Sequence, residues 1–287
     1  MATAIPASVS VQGVGARGMM RRLASVVVLL PVFLLIVIKA PPYLFNALVI
    51  LASATALWEL TRLLEHGGRP VFRMLGVVAG SAVTAAFAAS GMLSPFALPT
   101  AVLTAAVLVV LAAAIWRGPA PSTEPAANTL LAVLYVGWLL GYGILLHQTS
   151  SRGDALVLFV VGVTWVGETM AYMVGSTLGR HKLAPVISPR KTVEGAVAQV
   201  VAAVLTAAAL GAWLLPECGL GVAVAGGALL GVVGQVGDLA ESVVKRSVGA
   251  KDTGGIIPGH GGVLDRIDSL LFTLPAAYYL ASFIAGG

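Results

Sequence analysis

Four polar side chains near the C-terminus share one helical face. In "GDLAESVVKR", Asp238, Glu241, Ser242 and Lys245 recur at i, i+3, i+4 and i+7, the spacing that stacks side chains along one side of an α-helix. Further on, "LDRID" holds Asp265 and Asp268 at i, i+3 where another helix is expected to start. Between them runs "VGAKDTGGIIPGHGG", in which six of the 14 residues from Gly249 to Gly262 are glycine. Glycine takes positive φ without strain and lets a backbone approach a ligand, so its N–H groups can face anions, phosphate above all. Gly259, Gly261 and Gly262 lie inside this loop, and Lys245, Arg246, Lys251, Asp252, His260 and Arg266 surround it. The chemistry is that of oxyanions. Cations and amides hold phosphates, and carboxylate oxygens suit a hard cation such as Mg2+, which takes one or two carboxylates plus substrate phosphates and water.

Each residue also has a plainer role. Asp238 lies about two turns inside its helix end, where a charge in hydrocarbon costs on the order of 2.5–3.5 kcal/mol. An ion pair with Lys245 or Arg246 would satisfy it without a metal. Carboxylates at a helix start meet free N–H groups and the positive end of the dipole, so capping is the alternative for Asp265 and Asp268. His260 either binds a phosphate or orients the loop. A second loop, "GRHKLAPVISPRKTVEG" at 179–195, has four basic residues and one acid. With Lys182, Ser188 and Lys191 it reads as another anion-binding element. Upstream, Glu168 and Tyr172 sit at i, i+4, and Glu168 is far enough inside its helix to need a polar cavity.

The elements that must position these groups lie in a membrane. Hydrophobic residues make up 58% of the chain and charged residues 10%, against about 25% charged in soluble domains. Long, non-alternating apolar runs predict an all-α polytopic membrane protein. Helices are expected at about 23–39, 43–65, 72–90, 96–116, 127–148, 154–180, 193–214, 219–246 and 267–285, separated by Pro- and Gly-rich turns. "MMRRLASVVVLLPVFLLIVIKAPPY" has the flavour of a signal peptide, but Pro41 follows Ala40 where cleavage would fall, and it reads as the first membrane helix. Residues 1–22 then form a mobile cytoplasmic tail, 23–150 a five-helix N-terminal region, and 151–287 a four-helix C-terminal region with two charged loops. Cys218, the only cysteine, reads as an inert small apolar residue.

Nine helices put the termini on opposite sides. With the N-terminus cytoplasmic and the C-terminus outside, every Lys and Arg except Lys39 and Arg152 falls in an inner segment, as the positive-inside rule requires. Most of this charge sets topology and attracts anionic lipid. The stretch from Asp238 to Asp268 differs, since acidic and basic groups are mixed there and topology needs no acids. Phosphate-binding cations and metal-binding carboxylates at one membrane face point to phosphoryl or nucleotidyl transfer to a lipid headgroup, a reaction that depends on positioning and charge neutralisation. An anion transporter is the reading from another class. It would tend to show internal repeats and broken helices near the midplane, and no convincing repeat is seen.

The residues also carry a family resemblance. "SVVKRSVGAKDTGGIIPGHGGVLDRID" follows S-x-x-K-R-x-x-x-x-K-D-x-G-x-x-I-P-G-H-G-G-x-x-D-R-x-D and resembles the phosphatidate cytidylyltransferase (CDP-diacylglycerol synthase) family. "AYMVGSTLGRHKLAPVISPRKTVEG" is similar to that family's second conserved stretch. The resemblance covers about 160–275. It implies transfer of CMP from CTP to phosphatidate with release of pyrophosphate, a multi-pass enzyme of the cell's inner membrane with its site facing the cytoplasm, a homodimer, and no nucleic-acid partner. It also implies Mg2+, with K+ as second ion, on Asp238 and Asp265, to which Asp268 is added. One position departs from the pattern. The family's W-x-x-D-x-x-A-Y reads "WVGETMAY" here, so Glu168 is placed with the substrate-binding groups rather than the metal ligands. Related enzymes act on other lipid phosphates, and CMP transfer to such a lipid is the alternative reading.

The charge asymmetry makes a topological prediction. Cysteines placed at Ser188 and Thr253 in a Cys218→Ser background should resist an impermeant thiol reagent in intact cells and react once the membrane is opened. Labelling of both from outside would reject the orientation.

Overall fold

The computed structural model describes residues 27, 30–90, 94–116, 122–149, 152–254 and 261–286. The expected tail lies outside the described residues, as do Gly259 and His260. The chain is mostly helical. We number the helices α1 (Leu30–Lys39), α2 (Pro42–His66), α3 (Arg73–Ala89), α4 (Ala97–Ile115), α5 (Glu124–Gln148), α6 (Gly153–Thr177), α7 (Val193–Leu214), α8 (Gly219–Ser247) and α9 (Leu264–Gly286). Seven of them, all but α1 and α3, are long and apolar enough to cross a membrane. The expectation of nine spans thus reduces to seven by length among the described residues. α3 has 17 residues, and only part of the expected first helix is described.

Each helix follows from its sequence. Pro42 opens α2, where a missing N–H costs nothing. Thr192 caps α7 by accepting a hydrogen bond from Gly195 N at 3.1 Å. Within α5, Val133–Trp138 widens into a π-helical stretch, a distortion often found near functional sites. The all-α expectation misses one element. The basic loop between α6 and α7 is an antiparallel hairpin, β1 (Lys182–Ala184) with β2 (Ser188–Thr192), paired Lys182 to Thr192 and Ala184 to Ser188.

The ends of the helices meet as an up-and-down bundle requires. Arg69, after α2, pairs with Glu124 at the start of α5 at 3.4 Å, and Gly67 abuts Val248 just after α8. At the opposite end, Arg152 before α6 pairs with Glu217 beside the start of α8 at 3.6 Å. One apolar core runs through both halves, from Phe45 and Leu60 on α2 through Phe87 and Ile144 to Val163 and Leu271. Many large apolar side chains point outward, Leu108, Leu205 and Trp213 among them, as expected where lipid is the solvent.

Without a hydrophobic drive between helices in lipid, small residues set the contacts. Thr84 on α3 donates to Gly137 O on α5 at 2.8 Å and lies 2.7 Å from Ser53 Oγ on α2, tying three helices together inside the apolar layer. On α8, Gly237 brings the backbone against α9. A Cβ there would stand 2.8 Å from Asp268 O and 3.0 Å from Ser269 Cα. That contact sets Asp238 and Asp268 side by side.

Backbone atoms cannot move aside cheaply, so Gly237→Ala should destabilise the bundle by about 1–3 kcal/mol, the usual cost of overpacking. Gly221→Ala, on the same helix with nothing within 4 Å of its added Cβ, should not. Thermal unfolding of the two variants in one detergent checks the difference.

Candidate active site

The shared face read from "GDLAESVVKR" is present on α8, and it turns towards α9. Glu241 is 1% exposed and Ser242 is buried. Lys245 lies between two carboxylates, with Nζ 2.5 Å from Glu241 Oε2 and 2.9 Å from Asp265 Oδ1. A buried charge is tolerated only when paired and hydrogen-bonded, and Lys245 meets that condition for both acids.

Asp265, in the first turn of α9, is saturated on one oxygen. Its Oδ2 accepts from Thr253 N at 3.0 Å, Thr253 Oγ1 at 2.9 Å and Gly262 N at 2.9 Å. Gly261, at φ +86°, makes the turn that brings Gly262 to it. The structure therefore gives Asp265 a loop-closing role, and the amides it holds belong to the preceding loop, not to the helix start that the capping alternative named. Asp268 is buried one turn further on, and its Oδ1 accepts from Ser269 N at 2.7 Å.

The two charged loops meet. Lys191 on β2 pairs with Asp238 at 2.8 Å, so Asp238 has an ion-pair partner, and it is neither Lys245 nor Arg246. Arg246 donates through Nε to Ile187 O at 3.1 Å and through its guanidinium to Ala250 O at 2.6 Å. It pins the hairpin tip to the end of α8 and spends donors on backbone. Lys182 is exposed on β1, Ser188 is half-buried on β2, and Lys251 and Asp252 are exposed after α8. Thr192 and His181 anchor the hairpin base, the latter through Glu194, 2.6 Å from His181 Nδ1. Tyr172, read on the same face as Glu168, is exposed and stands apart from the site.

Two cavities adjoin here. A polar one of about 250 Å³ is lined by Glu168, Asp238, Lys245, Asp252, Asp265, Arg266 and Asp268. Five carboxylates face two cations, a charge excess that calls for cationic company. An apolar one of about 560 Å³ lies between α1, α2, α5, α6 and α9, with Phe33, Phe45, Val49, Val157, Trp165 and Leu274 on its wall. Glu168, Asp265 and Arg266 line both. Among the described residues no three carboxylate, imidazole or thiol groups form a closed metal cage. The arrangement suits a ligand with a charged head and a greasy body.

Sequence reasoning passed over three contributors from the N-terminal half. α1 and α2 supply walls of the apolar cavity. Glu59, two turns from the C-terminal end of α2, is 3% exposed and accepts from Leu264 N at 2.9 Å. The Tyr135 hydroxyl, on the π-helical stretch, is buried with no hydrogen-bond partner among the described residues and lies in the field of Glu241, Asp268 and Asp238. The signal for Glu59 was available, since a carboxylate inside an apolar run is a functional candidate by default.

The site is thus an acidic, oxygen-rich pocket that opens onto an apolar cavity within a bundle of membrane-length helices. The family model described as the Cytidylyltransferase family matches residues 20–284, and the chain belongs to that family. It is 42% identical over 150 residues to the phosphatidate cytidylyltransferase of Staphylococcus saprophyticus subsp. saprophyticus, an alignment covering 52% of this chain and 56% of that one. It is 40% identical over 158 residues to the protein of the same name from Staphylococcus aureus, with the same coverage, and 40% identical over 150 residues to that from Staphylococcus epidermidis, again covering 52% of this chain and 56% of that one. The chain thus spans about half the length of the curated relatives it matches.

Removing one partner of a buried ion pair strands the other. Lys245→Met should cost about 3–5 kcal/mol of stability by leaving Glu241 and Asp265 uncompensated, and adding Glu241→Gln should recover part of it. Unfolding in detergent measures both, and an unchanged midpoint for Lys245→Met would show that the bridge carries no weight.

Proposed function

We propose that the chain is a phosphatidate cytidylyltransferase, converting CTP and phosphatidate to CDP-diacylglycerol and pyrophosphate. The observation that carries this reading is the junction of the polar and apolar cavities at Glu168, Asp265 and Arg266. A phosphatidate whose acyl chain occupies the apolar side presents its phosphate to the polar side, and the relatives' name, phosphatidate cytidylyltransferase, agrees with that substrate.

The chemistry follows from charge. A phosphatidate oxygen forms a bond to the α-phosphorus of CTP as the bond from that phosphorus to the bridging oxygen breaks, and the electron pair leaves with pyrophosphate. A phosphomonoester has its second pKa near 6, so the nucleophile is already largely dianionic at neutral pH and needs no general base. The obstacle is repulsion between it and the triphosphate. Arg266, exposed and lining both cavities, is placed to hold the lipid phosphate at the junction. Lys182 and Lys251, exposed on the hairpin and after α8, are the cations we assign to the triphosphate. Lys245 bridges Glu241 and Asp265 and so offsets part of their charge while the incoming phosphates bind.

The carboxylate oxygens fit Mg2+. Asp238, Asp268 and Glu168 supply hard donors with oxygens not claimed by three hydrogen bonds, unlike Asp265 Oδ2. We assign the metal to Asp238 and Asp268, with Asp265 beside it. Bound there, Mg2+ would neutralise phosphate charge at the α-phosphorus and the leaving group. Held by so few carboxylates, Mg2+ would complete its shell with substrate oxygens and water. The cytoplasmic orientation and the homodimer belong to the same proposal.

Purified in detergent with CTP, phosphatidate and Mg2+, the protein should form CDP-lipid. No CDP-lipid, or faster transfer to a competing lipid phosphate, would overturn the substrate assignment. Asp238→Asn and Asp268→Asn should each lower turnover about 100-fold or more across a Mg2+ titration, the scale of a several-kcal/mol metal contribution. The double variant should be little worse, as for groups that act as a unit. Wild-type turnover and Mg2+ dependence in either single variant would remove that residue from the metal.

A further inference from the structure

We propose that Glu59, contributed by the N-terminal half, is the positioning residue that holds the start of α9 and the two described ends of the glycine-rich segment in place over the polar pocket. The proposal deepens the cytidylyltransferase reading, and only its kinetic arm rests on it.

Glu59 lies within α2, buried at 3% exposure among apolar neighbours. A carboxylate in such a place needs a compensating partner. Its partner is the first N–H of α9. Glu59 Oε2 accepts from Leu264 N at 2.9 Å across 205 positions of sequence. The first N–H groups of a helix have no partner within it, and they carry the positive end of the helix dipole. A side chain from another helix thus satisfies a terminus that the chain's own preceding residues leave open.

The glycines pack on the same carboxylate. A Cβ at Gly254 would stand 2.7 Å from Glu59 Oε1. One at Gly262 would stand 2.6 Å from Oε2 and 2.4 Å from Thr253 Oγ1. A side chain at either position would have to push the Glu59 carboxylate out of its place, so the glycines leave room for it. From the other side, Asp265 Oδ2 holds Thr253 and Gly262. The segment's two ends are therefore gripped between two carboxylates, one from each half of the chain. Leu264 is followed directly by Asp265 and Arg266, both lining the polar pocket. Loosening the first turn of α9 displaces them together. Glu59 itself lines neither cavity, so it acts through its neighbours.

The test compares Glu59→Gln, Glu59→Asp and Gly254→Ala in the full chain in detergent. Gln keeps an acceptor oxygen at the same reach without the charge, whereas Asp keeps the charge and is one methylene short. Hydrogen exchange reads the local opening directly. The amides of Gly262 and Leu264 should exchange about tenfold or more faster in Glu59→Asp and Gly254→Ala, and within about threefold of wild type in Glu59→Gln, with other helices unchanged. For CTP and phosphatidate, kcat should fall about tenfold to a hundredfold in the first two variants, the scale of a misplacement near 1 Å. KM should change little, and Glu59→Gln should turn over near the wild-type rate. Wild-type exchange in both Glu59→Asp and Gly254→Ala would overturn the proposal, as would a Glu59→Gln variant as impaired as Glu59→Asp. If wild-type protein forms no CDP-lipid, the substrate reading fails by itself, and the exchange measurement still decides the role of Glu59.

Discussion

A carboxylate at the edge of a hydrocarbon layer has to find a cation, a donor or water, and several do so here around one ammonium group. Lys245 reaches Glu241 on its own helix and Asp265 on the next. Because Asp265 also holds Thr253 and Gly262, the same network fixes the distance between α8 and α9 and the path of the chain between them. Asp238 is drawn in by Lys191, which brings the hairpin over the site. Remove Lys245 and the acids repel one another at close quarters, where a low local dielectric makes that repulsion expensive. The site's geometry is thus a solution to charge burial before it is a solution to catalysis.

The helices were legible because lipid imposes a simple code. A run of apolar residues ended by Pro, Gly or charge becomes a helix, and 193–214 was read with the bounds that the structure shows. The hairpin was not legible. β1 and β2 are short and rich in Lys, Arg and Pro, so they lack the apolar–polar alternation of a half-buried strand. Their pairing is imposed by the closeness of α6 and α7, with Gly195 packed 2.7 Å, at a would-be Cβ, from Ala171 O. The shared face of Asp238, Glu241 and Lys245 was legible from helical spacing alone. The partners were not, since spacing states which residues face the same way and says nothing of what they meet. Lys191 for Asp238, and backbone carbonyls for Arg246, are tertiary facts.

The N-terminal half was the least legible for the same reason. Its helices are bland by composition, and their contribution is a wall, a hydroxyl and a carboxylate placed by packing. Thr84, Ser53 and Gly137 lock α2, α3 and α5 inside the apolar layer. That lock sets the depth of Glu59 on α2 and of Tyr135 on α5. Small and hydroxyl residues in a membrane bundle therefore carry positional information that a hydropathy pattern averages away.

The position of the site relative to the bilayer follows from what must reach it. On the proposed reading one substrate is a triphosphate that never leaves water and the other a lipid that never leaves the membrane. A site deep in the bundle would strip the triphosphate of hydration at great cost, and one wholly outside would have to lift the lipid's chains from hydrocarbon at about 0.8 kcal/mol per CH₂. On that reading, the two adjoining cavities avoid both costs. The apolar cavity opens among α1, α2 and α6, while the polar pocket lies among α6, α8 and α9. Their common residues include Arg266, whose guanidinium matches phosphate oxygens in a planar fork. Glu168, on α6, is also common to both, and it extends the acidic wall of the pocket to the mouth of the apolar cavity.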